Sequence, residues 1–187
     1  MSKQDNNQLN FSLKEYSSIQ IGIYFLFAAF LIKSILEGFL IDDNPLGMMS
    51  AEIIELLVLI IILFTLLFSS LALFFKGRRK IRKKKSKLWN SKTKNISLKY
   101  LASFSIIIFV LIFLNNQGFI NYLTPAFLLF YGLSLIILKI KKSKNIFILS
   151  IVSFMLAVIC FMIPNYWYSS IFILGIAHIT YGVVVKN

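Results

Sequence analysis

Past Glu55 the chain carries no carboxylate side chain; its seven acids, Asp5, Glu15, Glu37, Asp42, Asp43, Glu52 and Glu55, all lie in the first third. It has one cysteine, Cys160, and one histidine, His178. A lone cysteine closes no intrachain disulfide, and these two side chains without a downstream acid cannot supply the three or four ligands of a zinc site. There is no Ser-His-Asp set, no phosphate-cradling glycine loop and no pair of carboxylates at a site, so neither catalysis nor a cofactor is expected. Only three prolines interrupt the chain.

Apolar sequence is what it has in excess. The chain is 58% hydrophobic and 16% aromatic, with a mean hydropathy of +0.82, above the roughly 45–50% apolar content of soluble domains. The apolar residues come in six blocks near the length of about 20 residues that crosses a hydrocarbon core: about Ser18 to Ile41, Ile53 to Phe75, Leu98 to Leu114, Phe119 to Leu138, Ile146 to Ile163 and Tyr166 to Val185. Barrel strands alternate apolar and polar residues over about ten positions, so these runs predict helices, which satisfy their own backbone in lipid. The expected fold is an all-α polytopic bundle of about six transmembrane helices arranged as three hairpins, 18–75, 98–138 and 146–185. A polar segment, 1–17, precedes them without a recognisable cleavage site.

Charge position orients the bundle. Between the second and third blocks lie Lys76, Arg78, Arg79, Lys80, Arg82, Lys83, Lys84, Lys85, Lys87, Lys92 and Lys94, and between the fourth and fifth lie Lys139, Lys141, Lys142 and Lys144. The alternate turns carry Asp42 and Asp43 or no charge. Lys and Arg in short loops stay cytoplasmic, which predicts an inner-membrane protein with the basic loop 76–97 and both termini inside, and an even number of spans. Tyr122, Tyr166, Trp167 and Tyr168 suit the opposite headgroup region.

Residues 94–132 overlay 144–182 without a gap at an offset of about 50, a period that signals duplication. Lys94-Asn95-Ile96 falls on Lys144-Asn145-Ile146, Ser103-Phe104 on Ser153-Phe154, Asn115 on Asn165, and Tyr131-Gly132 on Tyr181-Gly182. The last two hairpins read as parallel repeats, unlike the inverted repeats of many transporters. The first hairpin offers no persuasive register.

From about Leu66 onward the chain resembles an uncharacterised bacterial family of small multi-pass membrane proteins. The resemblance rests on Lys84-Lys85-Ser86-Lys87-Leu88-Trp89, on Leu123-Thr124-Pro125-Ala126 with Tyr131-Gly132, and on Gly175-Ile176-Ala177-His178-Ile179-Thr180-Tyr181-Gly182. Three apolar hairpins with Pro and Gly near their turns are more weakly similar to acid-resistance membrane proteins of the HdeD type. Neither resemblance implies an activity.

Polar residues within the spans are the remaining candidate chemistry. Lys33 and Glu37, four apart on one face, pair with each other or with Glu52 and Glu55 of the second helix as an ionic cluster just below the outer surface. Lys33 snorkelling outward and a proton or ion pathway are the alternatives. His178 shares a buried polar face with Gly175, Tyr181 and Gly182, where small residues admit a neighbouring helix and imidazole bonds across. A structural histidine, bonded to a tyrosine or to a carbonyl near Thr124-Pro125, competes there with a pH sensor or ligand contact. The basic loop has the charge but none of the modules of a nucleic-acid binder. It reads as a topological signal, with Arg78, Arg79, Arg82, Lys83, Lys84 and Trp89 contacting membrane lipids through their anionic headgroups on a helix continued inward along Ile81, Leu88 and Trp89.

A structural or accessory membrane protein requires the fewest further features. It would pack with itself as a homo-oligomer or with a larger membrane complex through faces bearing Ser69, Ser70, Ser103, Gly132, Ser134 and Gly175. The alternative is a small-solute or ion transporter or channel, formed between subunits.

Overall fold

Helix propensity and apolar block length together account for the elements of the computed structural model, which describes residues 16–40, 51–84, 91–137, 145–163 and 166–186. α1 spans Tyr16–Leu40, α2 Ala51–Lys84, α3 Ser91–Asn116, α4 Leu123–Ile137, α5 Asn145–Met162 and α6 Trp167–Lys186; a 3-10 turn, Ile120–Tyr122, leads into α4. The described residues contain no strand. Four helices hold stretches long and apolar enough to cross a membrane: Tyr16–Gly38, Ile53–Phe75, Lys94–Asn116 and Trp167–Val184. The apolar parts of α4 and α5, Leu123–Ile137 and Ile146–Met162, are shorter.

Much of the basic stretch 76–97 is helical, as the inward continuation of the second helix along Ile81 anticipates on the α2 side. α2 runs on to Lys84 and α3 begins at Ser91, because Lys and Arg are good helix formers and no proline interrupts them. Leu88 and Trp89, proposed as lipid contacts, lie outside the described residues, as do the turn at Pro164 and Asn165 and the first 15 residues.

The turn after α3 follows from Gly118. Its φ of 73° is the left-handed conformation that glycine adopts without steric cost. Gly118 N–H donates to the Asn115 carbonyl and Phe119 N–H to that of Leu114, the paired bonds of a Schellman cap. The third residue of α4 is Pro125, in the first turn, where a missing N–H costs no helical bond.

Neighbouring helices follow the order α2, α1, α6, α5, α4, α3, and α3 touches α2 again. The first and last helices make the most extensive contact, followed by α4 with α5. The core lies between them: Ile21, Phe25 and Ile32 of α1, Phe127 and Leu128 of α4, and Ile171 and Leu174 of α6 are buried. Outward faces are apolar too, with Phe30, Phe109 and Met162 at 64%, 72% and 75% exposure. A surface this greasy suits lipid and would be a liability in water.

Candidate functional site

α1, α4 and α6 converge on His178, which is 0% exposed. Tyr131 stands with its hydroxyl 2.7 Å from Nε2, and Ser18 Oγ lies 3.2 Å from Nδ1 and 2.8 Å from the His178 carbonyl oxygen. These distances assign the protons. A carbonyl only accepts, so the single Ser18 hydroxyl hydrogen goes to it; Nδ1–H then donates to Ser18 Oγ, and the Nε2 lone pair accepts from Tyr131 O–H. In the neutral tautomer both nitrogens are occupied in this way. Phe25 covers the ring at 5.4 Å between centroids and meets Tyr131 edge-on at 5.4 Å.

This close approach of α1 and α6 depends on two glycines. A Cβ built on Gly22 would stand 2.6 Å from the Gly175 carbonyl oxygen, and one on Gly175 would stand 3.0 Å from the Gly22 carbonyl oxygen. Backbones this near exclude any side chain between them. Tyr181 and Gly182 are buried further along α6. α4 and α5 are joined similarly: Ser150 donates to the Gly132 carbonyl at 2.7 Å and Ser153 to the Leu128 carbonyl at 2.6 Å.

The other proposed packing serines divide by partner. Ser70 meets the Tyr100 hydroxyl of α3 at 2.7 Å, and Ser103 is buried. Ser69 donates back to the Thr65 carbonyl and Ser134 to the Tyr131 carbonyl of their own helices, so neither hydroxyl joins two helices in these bonds.

Lys33 Nζ is 3.5 Å from Glu37 Oε1 and 5.9 Å from the Tyr168 ring centroid. From the Gly22–Gly175 crossing, α1 rises roughly 27 Å to Leu40 and α6 only about 12 Å to Trp167, at 1.5 Å per residue. Lys33, roughly 16 Å along α1 from the crossing, is therefore at or beyond the end of α6 and leans back over Tyr168. The two side chains are 45% and 58% exposed, and exposed pairs contribute little. Lys33→Met should lower the unfolding free energy by less than about 1 kcal/mol and leave a thermal-shift midpoint nearly unchanged; a collapse in that midpoint would show the pair to be a structural staple. Glu55 makes interactions of its own, and the side chain of Glu52 lies outside the described set.

At the other end of the bundle Arg78 and Arg79 are exposed on α2, and Lys94 and Lys99 on α3; the side chains of Arg82, Lys83 and Lys84 are outside the description. Among the described residues no three of His, Cys, Asp and Glu come together. Comparisons with protein-family models, curated proteins and solved structures returned no match.

The sequence reading found His178 and Gly175 but missed Ser18, Gly22 and Phe25. A signal was available. Ser18-Ile19-Gln20-Ile21-Gly22 places two small residues four apart, the spacing that lets membrane helices approach.

Proposed function

We propose that the chain is a structural or accessory protein of the bacterial cytoplasmic membrane. In this reading it crosses six times, keeps its basic segments and both termini in the cytoplasm, and associates with copies of itself or with a larger membrane complex. The carrying observation is that the one intramembrane imidazole is enclosed among three helices, its nitrogens meeting Tyr131 of α4 and Ser18 of α1, so that it joins elements of the bundle as a packing residue would. The shorter α4 and α5 fit a crossing because α4 sits among its neighbours, with nine of its fifteen residues buried, and the positive-inside rule supports the orientation.

The association face we favour is that of α3, where Leu98, Leu101, Phe109 and Phe113 are 66%, 62%, 72% and 52% exposed. Purification in mild detergent with mass measurement should give a discrete complex heavier than one chain. A monodisperse monomer that conducts ions or solutes in liposomes would overturn the reading in favour of a transporter.

A further inference from the structure

Two seams between successive hairpins close with the same clasp, and the third does not. At α4–α5, Ser153 Oγ donates to the Leu128 carbonyl; at α6–α1, Ser18 Oγ donates to the His178 carbonyl. Leu128 and His178 stand 50 residues apart (178 less 128), the offset of the sequence repeat, so the clasp recurs at one place in the repeating unit. A serine hydroxyl reaches a neighbouring backbone only where helices nearly touch, and Gly132, Gly22 and Gly175 permit that approach.

At the α2–α3 seam the same offset puts buried Ser103 where α5 has the clasp serine Ser153, but the bond across this seam is made three residues earlier by Tyr100, which stands in place of Ser150. The Tyr100 hydroxyl meets the Ser70 hydroxyl at 2.7 Å, so the link runs from side chain to side chain and two side-chain lengths separate the backbones. These helices touch least among the six neighbouring pairs. Tyr100 thus spans the seam as a strut between the two helices.

The mouth of that seam is cationic. Arg78 lies roughly 12 Å beyond Ser70 along α2 and Lys94 roughly 9 Å before Tyr100 along α3, so the two helices bring charge to one level. Exposed Arg79 adds to it, exposed Lys99 follows about 8 Å further along α3, and neither helix carries an acid past Glu55. Guanidinium forks match phosphate oxygens, and basic clusters between helix ends hold anionic headgroups. A sparsely packed apolar seam ending in such a cluster fits an amphiphile with a negative head; a soluble polyanion would have no use for the apolar part.

We infer that the α2–α3 seam binds an anionic phospholipid, its phosphate at Arg78, Arg79 and Lys94 and an acyl chain lying along the seam past Lys99 toward the Ser70–Tyr100 bridge. The inference rests on the reading that the basic end meets an anionic leaflet, and goes beyond it in assigning a particular seam. Native mass spectrometry of the full chain in mild detergent, with phosphatidylglycerol or phosphatidylcholine of matched acyl chains, tests it.

Phosphatidylglycerol should be retained at least about tenfold over phosphatidylcholine, and R78Q/R79Q/K94Q/K99Q should abolish that preference. K139Q/K141Q/K142Q/K144Q, which strips the other basic stretch, should keep it. Equal loss in the two quadruple variants would overturn the site and leave a general basic surface; absence of any preference in the unmodified chain would overturn the anionic-leaflet reading as well. A phosphatidylglycerol carrying a photoactivatable group on its acyl chain should label peptides of α2 and α3 in the unmodified protein, and labelling confined to other helices would overturn the assignment to the seam. Tyr100→Ser, which lets the seam close with every cation in place, should reduce the labelling; undiminished labelling in a monodisperse preparation of that variant would overturn the strut.

Discussion

Gly22→Ala is expected to lower the unfolding free energy by about 3 kcal/mol or to prevent recovery of monodisperse protein, the largest effect of any single methyl added to a described glycine. The new Cβ would stand 2.6 Å from the Gly175 carbonyl oxygen, 2.7 Å from Ile179 Cγ1 and 3.0 Å from Ile179 N. Two of those three atoms are backbone and cannot move without the helix. α1 must retreat, and its retreat draws Ser18 away from His178. Gly175→Ala should cost less, about 1–2 kcal/mol, because two of its three nearest atoms belong to the adjustable Leu26 side chain at 3.0 Å. Gly132→Ala meets nothing nearer than 3.3 Å and should cost under about 1 kcal/mol. Fluorescence-detected size exclusion after a temperature series ranks the three; if Gly22→Ala proved as mild as Gly132→Ala, the backbone crossing would not have the closeness described.

His178→Leu is expected to cost about 2–3 kcal/mol, because it removes the acceptor of a buried tyrosine hydroxyl and the donor to Ser18 while nearly preserving volume. A paired substitution separates hydrogen bonding from packing. Tyr131→Phe alone leaves Nε2 without its donor, whereas His178→Leu with Tyr131→Phe removes both ends of one bond. The double variant should be more stable than the sum of the single losses predicts, with a coupling of about 0.6–1.7 kcal/mol, the range of bonds between membrane helices. Strict additivity in denaturant or thermal unfolding would mean that the 2.7 Å contact contributes nothing to stability.

The helices were legible from the sequence because lipid-spanning helices are specified by length and apolarity, and each apolar block lies largely within one helix. Their true ends were less so. The inward continuation of α2 was read along Ile81, and α2 runs on to Lys84; the start of α3 at Ser91 depends on the helix propensity of Lys and Arg, which charge counting reads as loop. His178 stood out as a polar group in an apolar run, and its tyrosine partner was anticipated in kind. Ser18 was invisible as a partner because pairing across 160 residues leaves no local trace, and because serine near a helix start passes for a boundary residue. The closeness of Gly22 to Gly175 is likewise a relation between two segments, and each glycine alone only permits it. Lys33 and Glu37 lie 3.5 Å apart, one of the pairings their spacing offered, but their position relative to α6 depends on where the two helices cross, which composition does not encode.

That crossing also has a consequence in time. Ser18 and Gly22 leave the ribosome well before the carbonyl and glycine they fit, which lie on α6. At about 5–20 residues per second, the 160 residues separating Ser18 from His178 take roughly ten to thirty seconds to synthesise. Throughout that interval the first hairpin waits in the bilayer with the small-residue face of α1 uncovered. The most extensive helix contact among the described residues thus cannot form until α6 has been made, and a ribosome stalled before α6 would leave that seam open to any other helix presenting a small-residue face.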